Sequence, residues 1–148
     1  MFENKDKTTI DELGEFGLIK HLTSVIEISS EHTVVGCGDD AAVLDAKGKQ
    51  VVISTDSLVE NVHFDLMYTP LKHLGYKAAI VSISDICAMN AIPSQITVSL
   101  SFSSKYTLDA IEELYAGLLT ACKKYKVDLV GGDTCTIASG MVINVTAV

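Results

Sequence analysis

Residues 54–56, Ser-Thr-Asp, put three oxygen-bearing side chains in a row directly after the apolar run Val51-Val52-Ile53. An apolar triplet of β-branched residues reads as a buried strand, and such a strand delivers the next side chains at its end. Hydroxyl and carboxylate oxygens there are poor core material and good ligands for a hard cation such as Mg²⁺. Upstream, residues 36–40, Gly-Cys-Gly-Asp-Asp, set Asp40 beside Asp39 on a glycine-flanked turn. Downstream, Asp85 interrupts an apolar segment and Asp133 comes directly after Gly131-Gly132. Each acid has a structural explanation when taken alone. Asp39 can cap a turn, Asp133 can close an Asx-turn, and Asp85 can be ion-paired. Lys77 is a poor partner for Asp85, because positions eight apart on a helix do not meet. Together, acids at strand ends and in an apolar helix suggest a cation site, with the amides of Gly131 and Gly132 available to phosphate oxygens. His63, between Val62 and Phe64, reads from its surroundings as a packed structural histidine on a strand-like piece.

Periodicity supplies the secondary structure around these groups. Thr9 with Glu12 forms a capping-box pattern ahead of a helix over about 10–26. Short strands are expected at 34–35 and 41–45, then a hairpin turn over 46–49 and a central strand over 50–55, with 57–68 as loop. Thr69-Pro70 predicts an N-cap and first turn of a helix running to about Met89. Alternation over 94–101 predicts a half-buried strand. Thr107 caps an amphipathic helix over 108–125, whose stripe includes Leu108, Ile111, Leu114, Leu118 and Cys122. A strand over 127–130 ends in the Gly-Gly-Asp-Thr turn, and alternation over 141–148 gives the last strand. The expected fold class is α+β: a mixed or antiparallel four-stranded sheet (50–55, 94–101, 127–130, 141–148) with helices on one face. The other face is expected to show Thr97, Ser99 and apolar residues such as Val142 or Ile143. A homodimer through sheet faces or edges is expected from it.

At 148 residues the chain is one domain with room for a core. A net charge of −8 argues against nucleic acid and anionic membrane partners. It leaves phosphate ligands open, provided a divalent metal bridges the negative groups. Four cysteines without paired spacing read as reduced thiols in a cytoplasmic protein. No stretch is long and apolar enough for a membrane span. The Walker, dinucleotide-fingerprint, zincin and nucleophile-elbow motifs are absent, and no catalytic nucleophile–base pair is visible.

Residues 36–43, 54–64, 77–78 with 84–89, and 131–134 resemble, in order, the motifs of thiamine-monophosphate kinases, within the superfamily of aminoimidazole ribonucleotide synthetase. The Ser-Thr-Asp, Ser-Asp and Gly-Gly-Asp-Thr pieces are shared across that superfamily, whereas Leu58-Val59-Glu60 with His63-Phe64 is similar to the thiamine-phosphate enzymes in particular. Cys37, Asn90 and Cys135 depart from the usual pattern. The resemblance implies that Asp40, Ser54, Thr55, Asp56, Asp85 and Asp133 bind Mg²⁺, that Gly132 and Asp133 touch ATP, and that His63 contacts thiamine monophosphate. It implies an N-terminal metal- and ATP-binding, dimerising domain over 1–148, with a C-terminal domain expected beyond it. Two rivals stand beside the kinase reading: another ATP-dependent synthase of the superfamily, and a metal-binding dimerisation module without activity.

Overall fold

The computed structural model describes Gly17, Lys20, Ser24, Ser30, residues 32–36 and residues 41–148. Within the expected helix over 10–26 only Gly17, Lys20 and Ser24 are described, the first two of them helical; Asp40 with its turn lies outside the described residues. Among the described residues six strands form one sheet: β1 (Thr33–Val35), β2 (Ala42–Asp45), β3 (Gln50–Val59), β4 (Gln95–Phe102), β5 (Asp128–Thr136) and β6 (Met141–Ala147). The helices α1 (Leu71–Ala88) and α2 (Leu108–Tyr125) connect β3 to β4 and β4 to β5. The order across the sheet is β1-β2-β3-β6-β4-β5, and only β4 and β5 run parallel. The α+β class and mixed sheet agree with the sequence reading. The four expected sheet strands are joined by β1 and β2, short strands that the sequence pattern leaves outside the sheet. They enter it because the turn over 46–49 folds Ala42–Asp45 back onto β3.

Two strands run further than their apolar runs suggest. β3 continues through Ser54-Thr55-Asp56 to Val59, because β6 pairs with every residue from Ser54 to Val59. The polar triplet therefore sits mid-strand. β5 likewise continues through Gly131-Gly132-Asp133-Thr134, paired with β4 as far as Thr136. A bulge makes Val130 the extra residue, since Ile96 pairs with Leu129 and Thr97 with Gly131.

Pleating divides the sheet into two faces. Met141, Ile143, Val145 and Ala147 of β6 are buried, as are Ile96, Val98 and Leu100 of β4. These side chains meet the helices, α1 over β3 and β6 and α2 over α1 and β5. Ile143 thus belongs to the core and not to the open face expected for it. That face carries rows in cross-strand register: Thr55, Thr146, Thr97; then Ser57, Asn144, Ser99; then Val59, Val142, Ser101. It is more polar than expected.

α1 is capped by Pro70, with no side-chain bond to its first turn, so Thr69 does not serve as N-cap. α2 begins as expected, with Thr107 Oγ1 accepting from the Ala110 amide at 3.3 Å. It ends at Lys126 in the left-handed region (φ 58°). The helices cross at two glycines. A Cβ on Gly75 would lie 1.8 Å from the Leu114 carbonyl oxygen, and one on Gly117 would lie 1.8 Å from that of Lys72. Backbone-to-backbone approach at this crossing helps fix α1 on the sheet, and with it Asp85.

Candidate functional site

Alternation along β3 sends Ser54, Asp56 and Leu58 toward the helices, beside Ala147, Val145 and Ile143 of β6. α1 lies over them, and its Ser82 and Asp85, one turn apart, share the face that meets β3. Ser54 Oγ donates to Asp85 Oδ2 at 2.6 Å. Ser82 is fully buried, and its Oγ lies 3.0 Å from the Val145 carbonyl and 3.2 Å from Asp56 Oδ2. Ser54, Asp56, Ser82 and Asp85 thus form one polar seam between strand and helix. Burial is the main cause of a raised Asp56 pKa. The charge of Asp85 and a hydrogen bond between the two carboxyls add to it, and Ser82 opposes it. Lys105 with Glu60 forms an ion pair, and no ion pair joins a seam carboxylate to a described basic residue. Two half-buried carboxylates facing each other with hydroxyls, and with no countercharge among the described residues, suit a hard divalent cation.

The other sequence-selected residues are placed differently. Thr55 points to the open face, where its hydroxyl bonds the Val145 carbonyl and the Thr146 hydroxyl at 3.2 and 3.0 Å. Its side chain and those of Ser54 and Asp56 therefore stand on opposite sides of the sheet. Asp133 is exposed on edge strand β5, opposite Ser99. Three strand spacings separate β5 from β3, about 14 Å. Gly132 and Asp133 line a groove of about 540 Å³ with Tyr115 and Thr134. Among the described residues no three His, Cys, Asp or Glu side chains come together as a metal cluster. Ser54, Asp56 and Asp85 are brought together, and Asp133 stands apart.

His63 is exposed in the turn after β3 and not packed on a strand; Phe64 beside it is the buried residue. The Val59 amide donates to His63 Nδ1 at 3.0 Å, and Lys77 Nζ donates to the His63 carbonyl at 3.0 Å. With Asn61, Val62 and Asp65, His63 lines a hollow of about 320 Å³. Glu60, four pairs along β3 from Asp56, carries the ion pair with Lys105.

Sequence reasoning missed Ser82 and the partners of Glu60. Ser82 had a legible signal, a hydroxyl three residues before Asp85 in an otherwise apolar stretch. Lys105 and Tyr106 had none, being some 45 residues from Glu60 in the chain.

Residues 38–148 match the family described as AIR synthase related protein, N-terminal domain. The chain belongs to that family. Within it, the chain is 43% identical over 137 residues to the thiamine-monophosphate kinase of Bacillus subtilis (strain 168), covering 92% of this chain and 42% of that protein. It is 36% identical over 124 residues to the thiamine-monophosphate kinase of Aquifex aeolicus (strain VF5), covering 84% and 38%. A solved structure described as AaThiL complexed with AMPPCP and TMP superposes with a TM-score of 0.83 at 31% identity, covering 95% of this chain and 43% of the other. Hydrogenase maturation protein HypE of E. coli shares the fold, with a TM-score of 0.56 at 20% identity, covering 64% of this chain and 30% of that one. The chain spans under half the length of the curated relatives it matches. No helix among the described residues is long and apolar enough to cross a membrane.

Proposed function

We propose that this AIR synthase-related domain is the N-terminal part of an ATP-dependent thiamine-monophosphate kinase, and that the Ser54–Asp56–Asp85 seam holds Mg²⁺. The observation that carries the metal assignment is the pair of facing carboxylates without a basic partner among the described residues. The substrate assignment rests on similarity to thiamine-monophosphate kinases and to a relative solved with AMPPCP and TMP. Asp40 is a further proposed ligand at the seam, and Asp133, three strands away, is proposed to hold a separate Mg²⁺ ion. Gly132 and Asp133, on an open strand edge beside a groove, are the proposed nucleotide contacts.

The acceptor in this reading is a phosphate monoester, whose second pKa is about 6. It is largely ionised at neutral pH, so its oxygen attacks the γ-phosphorus in line without a general base, the bond to the β–γ bridging oxygen breaks and ADP leaves. This accounts for a site of acids and hydroxyls with no nucleophile–base pair. Bound Mg²⁺ supplies charge neutralisation between the anionic reactants. Asp56 and Asp85 orient and hold that positive charge, Ser54 keeps one Asp85 oxygen aimed along the seam, and His63 contacts the acceptor.

We also propose a cytoplasmic homodimer, its two polar open faces meeting so that the Ser, Thr and Asn rows pair across the interface. Light scattering on the 148-residue chain tests this, and a monomer mass at micromolar concentration sinks it.

Calorimetry on the full-length protein tests the function. Nucleotide binding is expected to collapse on chelation, and Asp85→Asn to remove most phosphorylation of thiamine monophosphate. Metal-independent binding of equal strength, or normal kcat in Asp85→Asn, rejects the reading.

A further inference from the structure

Glu60 closes β3 and opens the turn that carries His63. Its side chain is only 9% exposed, unusual for a glutamate at the end of a strand. Lys105 Nζ donates to Oε1 at 2.8 Å and the Tyr106 hydroxyl donates to Oε2 at 2.6 Å, so both carboxylate oxygens are taken. Lys105 also lies over the Tyr106 ring, 4.8 Å from its centroid, and Tyr106 meets Phe102 edge-on at 6.4 Å. These partners come from the β4–α2 loop, and the Glu60 amide bonds the Met141 carbonyl at 2.9 Å. The β5–β6 turn closes over the same carboxylate: a Cβ on Gly140 would come within 3.3 Å of Oε2, and Gly140 has φ +79°. Two separate segments therefore converge on one side chain.

Beyond Glu60 the chain turns tightly. Asn61 is left-handed (φ 64°), and its amide bonds the Phe64 carbonyl at 2.7 Å. The His63 amide returns to the Val59 carbonyl at 2.9 Å, while the Val59 amide donates to His63 Nδ1 at 3.0 Å. An imidazole nitrogen that accepts from an amide carries no proton, so in the neutral ring the proton is on Nε2. The ring is thereby prepared as a hydrogen-bond donor through Nε2, with the Lys77 ammonium held beside its carbonyl.

We propose that Glu60 is a positioning residue: clamped by Lys105 and Tyr106, it fixes the 59–64 turn so that His63 offers Nε2–H to an anionic oxygen of the acceptor. The clamp is read from this chain's geometry, and the identity of the acceptor rests on the kinase reading. Loss of the carboxylate leaves Lys105 and Tyr106 without their acceptor and frees the turn.

The test uses full-length protein, wild type and Glu60→Gln, with Tyr106→Phe as a milder variant that removes one donor. Proton–nitrogen multiple-bond spectra of the His63 imidazole should show the Nε2–H tautomer in wild type and averaged tautomers in Glu60→Gln. Kinetics should show KM for thiamine monophosphate raised roughly tenfold, with KM for ATP within about twofold. Tyr106→Phe should move both readouts in the same direction by less. An Nδ1–H tautomer in wild type, identical His63 signals in all three proteins, or equal rises in both KM values overturns the proposal. If the wild type phosphorylates no thiamine monophosphate, the kinase reading fails, and the imidazole spectra alone still decide the clamp.

Discussion

Ser54 and Asp85 stand 31 residues apart and meet at 2.6 Å, the strand hydroxyl donating to the helix carboxylate. The contact ties β3 to the last turn of α1, one turn from where Asp56 is also held, through Ser82. Loss of either group changes both the seam and the charge it presents.

Asp56→Asn should stabilise the metal-free fold at neutral pH while weakening metal-dependent nucleotide binding. Burial and Asp85 raise the Asp56 pKa above its ordinary 3.8. The folded state therefore binds the proton more tightly than the unfolded chain. Stability falls as pH rises from 3.8 through the folded pKa, and the penalty persists above it. Thermal melts of both proteins across pH should show the advantage of Asp56→Asn appearing over that window and vanishing in acid. A constant difference at every pH refutes it.

Glu60 has the opposite sign. Burial pushes its pKa up, but the hydrogen bonds from Lys105 and Tyr106 outweigh it and hold the pKa below the ordinary 4.5. Its stabilising contribution is full above pH 4.5 and is lost as pH falls through the lower folded value. Denaturant titrations should find the stability gap between wild type and Glu60→Gln flat above that pH and closing below it.

Ser82→Ala should cost about 1 kcal/mol, since it removes the one buried hydroxyl donor that the Val145 carbonyl and Asp56 share. It should also raise the Asp56 pKa further, because Ser82 is the group that lowers it. Urea unfolding reads the first effect and carboxyl NMR titration the second; an unchanged titration removes Ser82 from the seam.

Gly117→Ala should destabilise by about 1–3 kcal/mol, because its methyl group meets backbone and not a side chain that can swing away. Gly75→Ala should behave alike. A neutral effect at both would mean that the helices separate freely, and Asp85 would then not be held by this crossing.

Local pattern carried much of this fold. Alternation in β4 and β6, the Thr107 cap and the α2 stripe at Leu114, Leu118 and Cys122 all depend on neighbours a few residues away, so they were legible in the chain; Leu108, expected on that stripe, is exposed. The need of Asp85 for a partner was legible too, since a carboxylate in apolar surroundings is costly to leave unpaired. Strand pairing was not legible. β3 runs past its apolar triplet only because β6 offers partners to Val59, and β5 runs through two glycines only because β4 does. Ser54 and Asp56 part from Thr55 because a strand alternates faces, and the extent of the strand settles that alternation. His63 leaves the core because Phe64 takes the buried place. The convergence of Lys105, Tyr106 and Gly140 on Glu60 joins segments 45 and more residues apart. Contacts of that range leave no periodic trace in a sequence, and only the tertiary structure brings them to one carboxylate.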